Sequence, residues 1–427
     1  MKILIKNANL ITMQKTEDQN IENGQVFIED NTIVYVGKEY KGDLVADKII
    51  DAKNNIVMPG FINAHAHTAM SIFKNISDDK VLQDWLYEDI LPLEQNLTQD
   101  IVYNATMLGI AEYVKNGITT FCDAYYYPEA SIKAIKKAGI RASVCLGFHT
   151  NDATSIEKIE KTYLNNEQKT ELITYMLYAH SIYANDEAQI TDIVNLANKH
   201  KLPVYTHLSE TLEEVSNCTV KHNGLTPPQL LEELGFFDLN ATVAHAVHVD
   251  NQDLDILKNY NVNVVSNPSS NLKLGSGIAP VYSMQKKNIN VALGTDGSSS
   301  NNALDIFREM YLASTLQKAV LKDASVISAT KALRMATVNG AKAINLQNVG
   351  KIEKGYKADI IILDTNTPNL TPINKKENSV VYSANTQNVI LTMVNGKILY
   401  QDDKYYLGEP INDIMKNAKQ ALNKLKK

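Results

Sequence analysis

Short runs of β-branched and apolar residues alternate along the chain with stretches in which apolar positions recur every three or four residues. Between Glu187 and His200, Ile190, Ile193, Val194 and Ala197 form the stripe of an amphipathic helix. Strand-like runs end near His67, Asp123, His149, His180, His207, His245, Asn267 and Asp296. Eight strands alternating with helices predict βα units closing into a parallel barrel. The two ends read differently. Ile3 to Met13, Gln25 to Val36 and Lys48 to Val57, separated by turn signals such as Asn23-Gly24, predict strands of a small sheet. Ala358 to Leu363, Asn388 to Val394 and Lys397 to Tyr400, with a turn at Asn395-Gly396, predict its continuation. The expected fold is therefore α/β: a (β/α)8 TIM-type barrel over residues 58–351, with a composite β-sandwich domain built from residues 1–57 and 352–427. A lysine-rich tail (Lys416, Lys419, Lys424, Lys426, Lys427) predicts a solvated helix face.

Composition narrows the function. Among 427 residues, 44% are hydrophobic and 21% charged, an ordinary globular balance, and a net charge of -6 leaves no footprint for nucleic acid. Lys6 interrupts the first apolar run and no stretch approaches a membrane span, so neither a leader nor a membrane partner is expected. Cys122, Cys145 and Cys218 lie far apart without Cys-x-x-Cys spacing, which argues against a disulfide framework or thiolate zinc site and suits a cytoplasmic location. Arg141, Arg308 and Arg334 are the only arginines, so few planar forks exist to clamp a carboxylate.

Candidate chemistry sits at the strand ends, where such barrels build their active sites. His65 and His67 occupy alternate positions of one strand and can face the same metal ion. Alone, a His-x-His pair is equally compatible with packed or surface histidine. His207 in Thr-His-Leu-Ser-Glu210 and Asp296 in Leu-Gly-Thr-Asp-Gly-Ser298 add two further strand-end donors in barrel order, and three imidazoles with one carboxylate suit zinc. Manganese or iron would also accept a mixed nitrogen and oxygen set. Glu210 lies three residues beyond His207, where a helix-start acid is common, but its place after a candidate ligand makes proton transfer the sharper reading.

Pro59-Gly-Phe-Ile-Asn-Ala-His-Ala-His67, His207-Leu-Ser-Glu210, Ala244-His-Ala-Val-His248 and Gly294-Thr-Asp-Gly297 together resemble the amidohydrolase superfamily, in its branch of methylthioadenosine and S-adenosylhomocysteine deaminases and chlorohydrolase-like relatives. The resemblance spans nearly the whole chain. It implies one divalent ion, zinc, held by His65, His67, His207 and Asp296. Glu210 would be the proton shuttle, His245 would orient the attacking water, and Asp296 would accept its proton. Ile173 to Ala179 has no lysine for a bridging ligand, which argues against the two-metal branch. His248 reads as a packing residue outside the site. Homo-oligomers are common in the family, and a small-molecule nucleoside or heterocycle is the partner it implies.

By the same resemblance Glu94 receives ribose hydroxyls and His180 contacts the purine; the plain alternatives are a solvated acid and a histidine satisfied by backbone. Trp85 could wall the pocket or lie in the core, and His149 is a further position whose contact with substrate stays open. Gly147 to Ser155 lacks the arginine with which S-adenosylhomocysteine deaminases grasp the amino-acid tail, and Arg141 begins its strand and should point to the opposite barrel end. The expected reaction is hydrolytic deamination of an adenosine-type nucleoside with a neutral 5′ group, with S-adenosylhomocysteine less favoured. Guanine, 8-oxoguanine or a triazine is the alternative substrate. A catalytically silent scaffold would have lost ligands or shuttle, and none is lost here.

Overall fold

In the computed structural model, residues 1–14, 20–40, 45–148, 156–164 and 170–426 are described. Among them the strands form two nine-stranded sheets. The first mixes both chain ends: β1 (Lys2–Leu10), β2 (Ile21–Glu29), β3 (Thr32–Gly37), β4 (Lys48–Asp51) and β5 (Ile56–Pro59) with the four late strands. The second begins at β6 (Phe61–His67) and runs through β7 (Ile118–Asp123), β8 (Arg141–Phe148), β9 (Ile173–Ala179), β10 (Val204–Leu208), β11 (Ala241–His245), β12 (Asn263–Ser266), β13 (Asn290–Leu293) and β14 (Asp296–Gly297). Its neighbours all pair in parallel, through helices that follow each strand.

The ring closes in an unexpected place. β13 pairs with β12, whereas β14, two residues further on, pairs with β6 through Asp296↔Ala66 and Gly297↔His67. The eighth strand of the (β/α)8 barrel is thus broken at Gly294-Thr295 instead of running unbroken to Asp296. Gly294 passes so close to the first strand that a Cβ there would stand 2.6 Å from the Cβ of His65 and 2.5 Å from Oδ1 of Asn267. Only glycine fits.

A second irregularity aims the histidines. Asn63 pairs with Phe121 and Ala66 with Asp123, three steps against two, so β6 carries an extra residue. Ile62 and Ala64 join the barrel-interior cluster of Cys122, Cys145, Met176, Tyr205, Ala244, Val265 and Ala292. Beyond the bulge, His65 and His67 take over the inward direction, above that packed floor.

The late strands β15 (Ile360–Leu363), β16 (Val389–Val394), β17 (Lys397–Gln401) and β18 (Lys404–Tyr405) complete the first sheet in the order β18-β17-β16-β15-β5-β1-β2-β3, with β4 beside β1. The hairpin expected at Asn395-Gly396 forms, both residues taking positive φ. Three expected boundaries shift. Gln25 to Val36 is a hairpin broken after Glu29, where Asp30 has φ 53°, and Lys48 to Val57 is divided by Lys53 and Asn54, both left-handed. Asn23-Gly24 makes no turn; it lies within β2 at a register shift opposite Ala8. The C-terminal helix Ile411–Leu425 buries Ile414, Ala418, Ala421 and Leu425 and leaves Lys416, Lys419 and Lys424 exposed. Among the described residues no helix is long and apolar enough to cross a membrane.

Arg141, the first residue of β8, points away from the barrel mouth as its position predicts. Its guanidinium reaches Asp359 through Nε (2.6 Å) and Nη2 (3.1 Å), Asn395 Oδ1 (3.1 Å) and the Glu171 carbonyl (3.0 Å). Both charges are almost fully buried, and together they join the base of the barrel to the strand end before β15. Arg141→Ala leaves Asp359 buried without its counter-charge and should lower stability by about 3–5 kcal/mol, measured by denaturant unfolding. An unchanged midpoint would show that the joint carries no stability.

Candidate metal centre and substrate cavity

Each strand end delivers one or two functional groups to the same space. His65 Nε2 and His67 Nε2 lie 3.4 and 3.3 Å from one oxygen, Oδ1 of Asp296. The donor atoms of His65, His67 and His207 lie within 4.8 Å of one another, as do those of His65, His245 and Asp296. The four residues expected to share an ion therefore converge.

Their tautomers are fixed from behind. Nδ1 of His67 donates to the Ala124 carbonyl at 2.5 Å and Nδ1 of His207 to the His180 carbonyl at 2.7 Å, which turns each Nε2 inward. Nε2 of His65 is fully buried and has no hydrogen-bond partner, an orphan of the kind that a bound cation would satisfy. Asp296 is held in place by Ser270 Oγ (2.6 Å) and Ser300 Oγ (3.2 Å) on Oδ2 and by the Gly297 amide (2.8 Å) on Oδ1. Its φ of 61° is a left-handed conformation that the packed mouth sustains.

The electrostatics agree with a cation. Burial pushes His65 down to about 4 and His207 well below its ordinary value, so both imidazoles are neutral donors at pH 7. Burial also opposes a charge on His67, but Asp296 beside it outweighs this and draws the ring up to about 9. Asp296 is desolvated too, yet the neighbouring imidazoles of His65 and His67 hold it well below the carboxylate range. A buried, firmly ionised acid facing three imidazole nitrogens fits a divalent ion with a mixed nitrogen and oxygen preference.

Two proton-handling groups stand beside this cluster. Glu210, 4% exposed, lies 3.6 Å from Nε2 of His245 through Oε2 and accepts from Ser276 Oγ at 3.1 Å through Oε1. Burial raises its pKa above the ordinary value. Nδ1 of His245 donates to Oδ1 of Asn271 at 2.8 Å, so Nε2 faces the cluster as an acceptor. His248 stays outside, as its sequence context predicts; its Nε2 bonds the Ser276 carbonyl at 2.7 Å and so steadies the loop that reaches Glu210.

A cavity opens over these groups. His67, His207, Glu210, His245 and Asp296 form its polar floor, and Glu94, His180 and Trp85, all named from sequence, also line it. Tyr125 donates to Oε1 of Glu94 at 2.6 Å, while desolvation lifts Glu94 to about 7 against that bond. Trp85 is both wall and core: it is buried, and its Nε1 donates to Ser299 Oγ at 3.1 Å. Met70, Leu82, Leu86, Leu91 and Leu274 complete the apolar wall, and among the described residues no lysine or arginine lines the cavity. His149 lies outside the described residues, as does most of Gly147 to Ser155. The sequence did not single out Ser270, Ser300, Asn271, Tyr125 or Glu214, because short polar residues carry no spacing signal before their targets are placed.

A histidine and carboxylate cluster at the mouth of a (β/α)8 barrel defines a candidate metal-dependent hydrolase. The chain belongs to the amidohydrolase family, whose sequence profile matches residues 56–399. It is 40% identical over 410 residues to a 5-methylthioadenosine/S-adenosylhomocysteine deaminase of Acetivibrio thermocellus, covering 94% of each protein. It is 37% identical over 432 residues to a 5′-deoxyadenosine deaminase of Methanobrevibacter smithii, covering 99% of this chain and 98% of that protein. The crystal structure of an adenosine deaminase from Xanthomonas campestris with bound zinc matches with a TM-score of 0.93 at 27% identity, covering 99% and 98% of the two chains.

Ser270→Ala removes the shorter of the two hydroxyl bonds that orient Asp296. Metal affinity should fall about 10- to 100-fold, read by competition with a chelator. Unaltered affinity would mean that Asp296 is oriented without Ser270.

Proposed function

We propose that this protein is a metal-dependent hydrolytic deaminase of adenosine-type nucleosides, acting on 5′-methylthioadenosine, 5′-deoxyadenosine or adenosine in preference to S-adenosylhomocysteine. The observation that carries the reading is the shared floor: Glu210, His245 and Asp296 meet the inward-facing histidines in one cavity that Met70, Leu82, Leu86, Leu91 and Leu274 also line. Its relatives' names supply the reaction class.

His65, His67, His207 and Asp296 would hold a single divalent ion, zinc by preference, which when bound acts as a Lewis acid and makes water nucleophilic near neutral pH. The remaining steps belong to the protein. His245 Nε2, its tautomer set by Asn271, orients the water, and Asp296 accepts a proton from it. The water oxygen bonds to purine C6 and the bond from C6 to the amino nitrogen breaks. Glu210, raised by burial and so poised to carry a proton, protonates N1. Of the two protons that water brings, one ends on N1 and the other leaves with ammonia. Glu94 receives the ribose hydroxyls, and His180 contacts the base.

The 5′ preference rests on charge. The cavity's acidic groups, together with its apolar wall, leave the carboxylate of an amino-acid tail without a lysine or arginine partner among the described residues. The architecture supports a division of labour in which residues 58–351 form the catalytic barrel and residues 1–57 with 352–427 form a flanking sandwich. Ile3, Ile5, Val26, Ile28, Val57, Ile360 and Leu391 enclose one shared cluster within that sheet.

Ammonia release by metal-replete protein tests the reading. The neutral 5′ substrates should exceed S-adenosylhomocysteine in kcat/KM by about tenfold or more; a clear preference for S-adenosylhomocysteine refutes the specificity, and silence on every riboside refutes the reaction. Glu94 sets a pH dependence of its own. Its carboxyl holds a proton below about 7 and then offers the ribose fewer acceptor lone pairs. KM should therefore rise as pH falls through about 7 and level off above it, a dependence that Glu94→Gln should abolish. A KM that is flat with pH in the parent enzyme would remove Glu94 from ribose recognition.

A further inference from the structure

The peptide that carries Glu210 is held from both sides. Ser209 has φ 48°, left-handed for a side chain with no compensating freedom. On the carbonyl side, the exit of β11 supplies the hold: Ala246 N–H donates to the Leu208 carbonyl at 2.9 Å, and Val247 and His248 N–H both donate to the Ser209 carbonyl, at 3.1 and 2.9 Å. On the amide side both N–H groups end on one side chain. Ser209 N–H donates to Oε1 of Glu214 at 2.9 Å and Glu210 N–H to Oε2 at 2.8 Å.

Glu214 is 5% exposed and sits in the first turn of the helix Leu212–Lys221. An acid there ordinarily serves the free amides of its own helix. Here Thr211 does that work, its Oγ1 accepting from Glu214 N–H at 3.1 Å. Both oxygens of Glu214 are committed instead to the turn behind it. Burial lifts Glu214 to about 7 against those two amide bonds, so this is an acid kept inside the protein at an energetic disadvantage.

We propose that Glu214 is a positioning residue for proton transfer, whose carboxylate clamps the Ser209 and Glu210 amides and thereby fixes the line along which the Glu210 side chain enters the cavity. The inference rests on the reading of Glu210 as the proton carrier. The carbonyl hold is backbone and uses no atom of Glu214, whereas the amide hold is that one side chain. Glu214→Gln keeps the volume but turns an NH2 group toward one of the two amide donors, leaving that N–H without an acceptor.

The test uses metal-replete protein and the best substrate of the riboside panel. Glu214→Gln should lower kcat by about 10- to 100-fold, the scale of a misplaced catalytic group, with KM and bound metal little changed. In the Glu210→Gln background the same substitution should cause no further loss, because a residue that acts through Glu210 has nothing left to position. An unchanged kcat in Glu214→Gln, or losses that multiply in the double variant, would overturn the proposal. Should Glu214→Gln not fold, Glu214→Asp, which keeps both acceptor oxygens on a shorter arm, carries the same comparison. Full activity in Glu210→Gln would instead refute the proton carrier itself, whereas an inactive Glu210→Gln beside an unaffected Glu214→Gln overturns only the positioning role.

Discussion

A carboxylate deep in a protein needs positive charge or hydrogen bonds, and the rest of this molecule is arranged around how Asp296 meets that demand. Two serine hydroxyls and one amide orient it, while His65 and His67 face it from the neighbouring strand. One of those imidazoles is fixed by a carbonyl and the other is left as a buried lone pair, so the cluster has the geometry of a ligand set in which His67 supplies the charge opposite Asp296. A divalent cation would take over that charge. The broken closing strand, the bulge in β6 and the left-handed Asp296 are backbone irregularities that bring these atoms together.

The same principle orders the proton-handling groups. Glu210 and His245 sit on two turns that hydrogen-bond to one another, so neither shifts without the other. Ser276 reaches Glu210 from a loop that His248 restrains, and Asn271 fixes the proton of His245. Burial then sets the chemistry: desolvation keeps His207 neutral and raises Glu210, each in the direction its proposed task requires. The amidohydrolase family provides the reaction type, and the cavity's charge and apolar wall provide the argument for which nucleosides it admits.

Much of this was legible in the sequence. Strand-end histidines are readable because a repeated βα unit places each apolar run in known order, so His65, His67, His207, His245 and Asp296 could be put at one mouth before any coordinates. Glu94 and His180 followed from resemblance and do line the cavity. What stayed hidden was irregular backbone. A one-residue bulge between Asn63 and Ala66 leaves the hydrophobic pattern intact, and the break at Gly294-Thr295 looks like the end of a strand. Ser270, Asn271 and Glu214 escaped for a related reason: a serine, an asparagine or a helix-start glutamate has a dozen ordinary uses, and only the position of its target singles one out. At the chain ends, Asp30-Asn31 and Lys53-Asn54 carried turn chemistry that longer apolar runs concealed.

The Arg141 and Asp359 pair lies at the end of the barrel opposite the cavity, where the flanking sheet is moored to the first residues of β6 and β8. This ion pair stands apart from the residues that line the cavity, whereas the C-terminal helix packs through Ala418, Ala421 and Leu425 against the wall residues Met70, Trp85 and Leu86. Cavity residues that do not touch the C-terminal helix can change without disturbing that ion pair, which gives lineages built on this scaffold room to explore new heterocycles.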